Sequence, residues 1–189
     1  MIDDRVLLGG VGLLERAITY MLGALHEVSP RQLARPTPCG QWDLRALLDH
    51  IDESLVALHE AAELGHVYLA PEAGAGPDDP VAAVRARAGR LLGAWTSTSQ
   101  VSVTVGDAGL TTGILTTAGA VEVAVHGWDV ARSVGRSRPI PPSLAEELLA
   151  LSPLLVSELD RPALFAAPVE VPARAAPGDR LVAFLGRRP

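Results

Sequence analysis

The sequence contains no lysine, so its positive charge comes entirely from sixteen arginines. Against them stand 22 acidic residues, which give a net charge of −6, and the arginines form no basic stripe along the chain. A protein that binds the phosphate backbone of a nucleic acid needs concentrated positive charge. The sequence therefore predicts no nucleic-acid partner.

Cysteine occurs once, at Cys39, which excludes an internal disulfide and any metal site built from several cysteines. No apolar run reaches the roughly 18 to 20 residues that a membrane-spanning helix needs. The first residues, MIDDRVLLGG, are acidic before their apolar stretch, unlike a secretory signal. These absences predict a cytoplasmic protein that does not interact with the membrane.

Aromatic residues make up only 4% of the chain, whereas Ala, Leu and Val are abundant and 48% of the residues are hydrophobic. Such a composition favours helices packed on helices. A chain of 189 residues has the size of one domain and can bury a real core. Because no internal repeat or second domain is evident, residues 1–189 are predicted to form a single domain.

Apolar residues recur at spacings of three and four in five segments, as on the buried face of an α-helix. In the first segment they fall at positions 7, 11, 14, 18, 21 and 25, and Asp3 or Asp4 is the expected N-cap. The second helix should begin at Asp43 and continue through LRALLDHIDESLVALHEAAEL. Further helices are predicted over about 80–97, from Thr112 to Val134, and over PIPPSLAEELLALSPLLVSEL with a bend near Pro153.

The remaining segments carry other patterns. QVSVTV alternates like a short strand, residues 70–80 have the composition of a flexible loop, and the tail is expected to be an extended arm followed by a short helix. The loops at 65–80 and 98–112 are candidates to cover a pocket. The most economical architecture is an all-α four-helix bundle with a short extended segment and a C-terminal helical extension.

Glu122 is the only charged residue between Ile114 and Val125, and a helix places it on the same face as His126. An unpaired carboxylate in apolar surroundings is costly, and a divalent cation would compensate its charge. His50, at the edge of the apolar face of the second helix, is a candidate third ligand. Two imidazoles and one carboxylate leave coordination positions open, which is typical of a reactive metal site.

Other interpretations of these residues stay open. Glu122 could bond directly to a histidine, without a metal. Asp129 either orients His126 or forms a surface ion pair with Arg132. Cys39 precedes a helix N-terminus, which can stabilise a thiolate, but a free cysteine is more commonly a small buried apolar residue, and that interpretation is preferred.

Two stretches, TPCGQWDLRALLDHI and EVAVHGWDVARSVG, resemble the two signature blocks of the DinB-like superfamily. The resemblance is strongest to the actinobacterial branch related to mycothiol-dependent maleylpyruvate isomerase, which the ending DRLVAFLGRRP also resembles. It implies a DinB-type four-helix bundle in which His50, Glu122 and His126 hold a divalent metal, zinc above all or else nickel. It also implies a cytoplasmic protein, often a homodimer, and in some relatives a thiol cofactor such as mycothiol.

Two functions remain as alternatives. The first is a divalent-metal-dependent enzyme that activates a small thiol, such as mycothiol, or water for S-transfer, addition or isomerisation of a small molecule. The second is a non-catalytic bundle that binds a metal or a ligand and acts as a sensor or partner module. Two imidazoles and a carboxylate accept zinc, nickel, iron or manganese, so the sequence does not select the metal.

Overall fold

The computed structural model describes residues 4–40, 42–68, 76–98, 100–156, 161 and 165–189, with side chains from residue 9 onward. Most of this part of the chain is helical. The helices in it are α1 (Asp4–Leu25), α2 (Leu44–Leu64), α3 (Pro80–Ser97), α4 (Thr112–Ser133), α5 (Pro142–Leu155) and α6 (Pro177–Phe184), with a short 3₁₀ turn at Pro30–Gln32.

Polar side chains fix the first residue of three of these helices. Asp43 accepts a hydrogen bond from the amide of Ala46 at the start of α2, as the sequence predicts. At the start of α3, Asp79 accepts a hydrogen bond from the amide of Ala82, and at the start of α4, Thr111 accepts one from the amide of Ile114. Each cap satisfies a backbone N–H that has no partner within its helix, so these helix starts are encoded locally.

The predicted buried face of α1 is confirmed from Leu14 onward, whereas Val11 is only partly buried. Leu14, Ile18, Met21 and Leu25 are at most 1% exposed. The side chain of Leu7 and the whole of residue 3 lie outside the described part, so the capping of this helix stays a prediction. The predicted ranges of α3 and α4 are confirmed to within one residue.

The predictions for the C-terminal third are confirmed in part. Helix α5 spans Pro142–Leu155 and contains Pro153, so residues 139–141 and Val156 of the predicted segment are not helical, while residues 157–159 lie outside the described residues. Residues 165–176 form the expected arm without helix or strand, and α6 is the expected short helix. Of the predicted loop 70–80, residues 70–75 also lie outside the described part.

The predicted all-α class is roughly right, since the fold is mainly helical, and a small sheet of three short strands adds to it. These are β1 (His66–Val67), β2 (Ser102–Val105) and β3 (Ala108–Thr111). Strands β2 and β3 are antiparallel and are joined at Gly106, whose φ of +56° suits glycine, while β1 runs parallel to β2. Only β2 is predicted from the sequence, because β1 is too short to alternate and β3 contains a glycine.

Helix α4 lies at the centre of the packing and contacts α1, α2 and α5. Between Gly119 and Ala131 every residue except Glu122 is buried. Helix α2 also packs against α3, and α6 packs against α5. No helix in the described ranges is both long and apolar enough to cross a membrane.

The contact between α1 and α4 depends on Gly127. A Cβ at this position would lie 3.1 Å from the Cα of Met21, which is backbone and cannot rotate away. The missing side chain therefore allows the two helices to approach closely, directly beside His126.

We expect Gly127→Ala to lower the free energy of unfolding by about 1–2 kcal/mol. Overpacking costs about 1–3 kcal/mol, and the higher helix propensity of alanine recovers only part of it. Gly89→Ala in α3 is the matched control, because its Cβ would meet nothing within 4 Å and should stabilise the protein by about 0.5–1 kcal/mol. Urea denaturation of both variants checks this, and equal stabilisation would contradict it.

Candidate metal centre

Three side chains from α2 and α4 converge at one point. His50 Nε2 donates a hydrogen bond of 2.7 Å to Oε1 of Glu122, and His126 Nε2 lies 3.1 Å from the same oxygen. One donor atom from each residue lies within 4.8 Å of the others. The structure thus brings together all three residues predicted as metal ligands, and the spacing of four residues in α4 explains why Glu122 and His126 share a face.

The pKa values of Glu122 and His126 are shifted strongly in opposite directions. Burial raises the pKa of Glu122, but the charge and hydrogen bond of His126, and then those of His50, outweigh it and hold the pKa well below its usual range. Burial lowers the pKa of His126, but Glu122 and the hydrogen bond to Asp129 outweigh it and raise the pKa to about 9. Without a metal, the group is therefore a carboxylate paired with an imidazolium.

Asp129 fixes the orientation of the His126 ring. His126 Nδ1 donates to Oδ2 of Asp129 at 2.9 Å. An ionised carboxylate can only accept, so the hydrogen is on Nδ1, and Nε2 is left facing Glu122. A carboxylate behind a histidine in this way is common among metal-binding histidines, because it orients the ring and increases its basicity.

The alternative of a surface ion pair between Asp129 and Arg132 is wrong. Asp129 is fully buried, and its charged partner is Arg187, whose Nη2 donates to Oδ2 at 3.0 Å. Arg132 instead lies over the ring of Trp128. A buried carboxylate needs a partner that also reaches the interior, and an arginine on the next turn of the same helix does not reach it.

Arg187 is a positioning residue that sequence reasoning misses. It follows α6, is 58 residues from Asp129 in the chain, and is only 9% exposed. Its Nη1 also donates to the carbonyl of Leu185. No local spacing links an arginine near the end of the chain to α4. The sequence carries one indirect signal for such a partner. Asp129 lies on an apolar helix face, and no arginine near it in the sequence can reach the interior to pair with it.

Cys39 lies on the Asp129 side of His126, where one donor atom from each of these three residues lies within 4.8 Å of the others. Its Sγ is 3.6 Å from Nη2 of Arg187. Burial raises the pKa of the thiol, and the nearby charge of Arg187 does not reverse this. The half-buried thiol therefore stays protonated at neutral pH, in agreement with a packing role.

The residues present fit a divalent ion. Two imidazole nitrogens and a carboxylate oxygen are a usual donor set for such ions, and the carboxylate is already ionised. The ring of His126 is already oriented by Asp129. An ion bound here would displace the proton that His126 carries in its absence.

A cavity of about 320 Å³ adjoins the cluster, with Glu122 in its wall. Val67 of β1 and Val105 of β2 also line it, so the segments 65–80 and 98–112 do contribute to covering a pocket, in the form of a small sheet. A larger and more open cleft of about 720 Å³ lies between α2 and α3 and includes none of the three converging residues.

Comparison with known proteins confirms the resemblance found in the sequence. Residues 14–131 match the family described as the mycothiol maleylpyruvate isomerase N-terminal domain. Since the match spans more than half of the chain, this protein belongs to that family, which is DinB-like. The matched range includes the three converging residues but not Arg187.

Individual relatives agree with this assignment. Uncharacterized proteins from the CDC 1551 and H37Rv strains of Mycobacterium tuberculosis are each 32% identical over 182 residues, which is 92% of this chain and 94% of theirs. The crystal structure of the mycothiol-dependent maleylpyruvate isomerase superposes with a TM-score of 0.60 at 20% identity, over 77% of this chain and 68% of that one. At that identity the likeness shows a shared fold.

We expect Arg187→Ala to lower the free energy of unfolding by about 3 kcal/mol, the lower end of the cost of breaking a buried ion pair, because Asp129 then keeps only His126 as a charged partner. The double variant Asp129→Asn with Arg187→Met should recover most of the loss, since neither charge remains. Arg188→Ala is the control, because Arg188 is exposed. Thermal and urea unfolding measure all three, and an Arg187→Ala protein as stable as Arg188→Ala would refute the role of the pair.

Proposed function

We propose that this protein is a divalent-metal-dependent enzyme that activates a small thiol, or water, for S-transfer, addition or isomerisation of a small molecule. The observation that supports it most is the convergence of His50, Glu122 and His126 beside a cavity. Two imidazoles and one carboxylate leave room for further ligands, as in metal sites that react rather than only stabilise.

We propose that His50 and His126 would bind the ion through Nε2 and Glu122 through its carboxylate, with zinc as the first candidate and nickel as the second. The bound ion would supply a positive charge that lowers the pKa of a neighbouring thiol or water. Glu122 provides the negative charge of the site, and its ionised state at neutral pH follows from its two histidine partners.

The remaining residues hold this arrangement in place. Asp129 keeps the His126 ring oriented, and Arg187 balances the charge of Asp129 within the core. The ring of Trp42 lies 4.5 Å from that of His50 and restricts the open side of this histidine.

The thiol in this proposal comes from a small molecule. The chain has one cysteine, and Cys39 is half-buried, protonated and in contact with Arg187. The family carries mycothiol in its description, and a protein of the same fold is a mycothiol-dependent isomerase. Mycothiol or a similar thiol is therefore the cofactor we propose.

The alternative of a non-catalytic sensor or partner module is less well supported. A structural metal site is usually closed by protein side chains. Here the side chains of Glu122 and His50 remain 32% exposed, and Glu122 borders a cavity large enough for a small molecule. Because a small molecule can reach this site, the geometry supports an enzyme better than a non-catalytic module.

We also propose that residues 1–189 form a single domain in which α1 to α4 make a four-helix bundle. The pairings of α1 with α4, of α2 with α3 and of α2 with α4 support this, as does one continuous hydrophobic core. The cytoplasmic location and the homodimer stay predictions from the sequence.

We expect the purified protein to contain about one divalent ion per chain by inductively coupled plasma mass spectrometry. Glu122→Gln and His126→Ala should lose it, since each removes a ligand, whereas Asp129→Asn should keep a site weakened by about 10–100-fold. His59→Ala is the control, because His59 in α2 contacts Glu63 and not the cluster. Metal content unchanged in the first two variants would contradict the assignment of the ligands.

If the protein activates a small thiol, it should accelerate the attack of that thiol on an electrophile. With 1-chloro-2,4-dinitrobenzene, the thiolate forms a coloured thioether and chloride leaves. A free thiol is only a few per cent thiolate at pH 7, so activation should raise the rate with mycothiol by about tenfold or more. Glu122→Gln should abolish this rise and His59→Ala should not. Equal rates with and without protein would refute thiol activation towards this electrophile and leave water as the candidate nucleophile.

A further inference from the structure

The described part of the wall of the cavity beside Glu122 is almost wholly hydrocarbon. Side chains such as Leu58, Val105 and Leu155 come from α2, the sheet and the end of α5. Among the described residues that line it, only Ser54 and Glu122 have polar side chains. Both lie on the helices that carry the metal-ligand cluster, so polarity is confined to those two helices.

Among the described residues, the hydrocarbon part of this wall carries no positive charge, and the histidines and the proposed metal ion lie only at its Glu122 end. None of the described residues in its wall is an arginine, and the chain has no lysine. The segments 69–75, 157–160 and 162–164 contain no arginine either. A carboxylate that entered the hydrocarbon part would lose its hydration without gaining a partner, which is costly.

The size of the cavity limits its occupant. Its volume is about 320 Å³, at the lower end of the range for small-molecule sites. In liquid water, one molecule, which has one non-hydrogen atom, occupies about 30 Å³. A cavity of this volume therefore has room for roughly ten non-hydrogen atoms.

We infer that this cavity binds an uncharged, mainly hydrocarbon part of the substrate, of up to about ten non-hydrogen atoms, and orients its reacting end towards Glu122. The inference rests on the proposed function for the reaction that follows, but binding in the cavity requires neither metal nor thiol. The wall disfavours a dianion such as maleylpyruvate. Substrate selection in this chain would then differ from what the family description suggests.

The test uses the full-length protein treated with EDTA and two series of probes, 1-alkanols and the corresponding alkanoates. Binding is followed by NMR shifts of the methyl groups of the cavity. Alkanol affinity should rise about fourfold for each added methylene and level off near ten non-hydrogen atoms. Alkanoates of equal length should bind at least about tenfold more weakly.

Two variants locate the binding. Ala118→Phe adds six ring carbons in the cavity and should weaken 1-octanol binding at least about tenfold, because a loss of room for two methylenes alone corresponds to about sixteenfold. Ala86→Phe adds the same ring on the exposed face of α3 and should have no effect. If Ala118→Phe fails to fold, Leu115→Asn keeps the size of the wall residue but makes it polar, and should weaken binding by a similar factor.

The outcomes separate this inference from the proposed function. Length-dependent alkanol binding that Ala118→Phe or Leu115→Asn weakens supports the inference, even if the protein holds no metal and activates no thiol. Affinity that is independent of chain length, equal binding of alkanoates, or binding unaffected by both cavity variants would overturn it, even if thiol transfer is observed.

Discussion

The structure around α4 depends on the compensation of two carboxylates, Asp129 in the protein interior and Glu122 at its edge. Glu122 is balanced by two histidines, and Asp129 by His126 and Arg187. His126 contacts both acids, so the two pairs form one network rather than two independent contacts. Because a buried charge without a partner is costly, the helices that supply these partners must keep their positions relative to α4.

This network also links parts of the chain that share no local pattern. His50 comes from α2, and Arg187 follows α6 near the end of the sequence. The close approach of α1 at Gly127 holds the same stretch of α4 from another side. The arrangement of the candidate centre is therefore tied to the packing of the core, which is how a site acquires a fixed geometry.

The cavity and the metal-ligand cluster offer different chemical properties to a reacting molecule. The cluster concentrates charge and hydrogen-bonding groups, whereas the cavity offers hydrocarbon surface and volume. Glu122 belongs to both, and between Gly119 and Ala131 it is the single residue of α4 that is not buried. A ligand in the cavity would meet the polar site at this residue, in surroundings where electrostatic interactions are stronger than in water.

Local information in the sequence determined the helices and the shared face of Glu122 and His126, whereas His50, which is 72 residues from Glu122, was indicated by the expected bundle and by the family resemblance. Helix starts follow from caps such as Asp43, helical faces follow from apolar spacing, and the position of Glu122 relative to His126 follows from one turn of a helix. Tertiary structure alone decided that Arg187 pairs with Asp129, that β1 joins the hairpin of β2 and β3, and that a hydrocarbon cavity borders Glu122. These features join residues far apart in the chain, and no short-range spacing encodes which distant side chain fills or leaves open a given space.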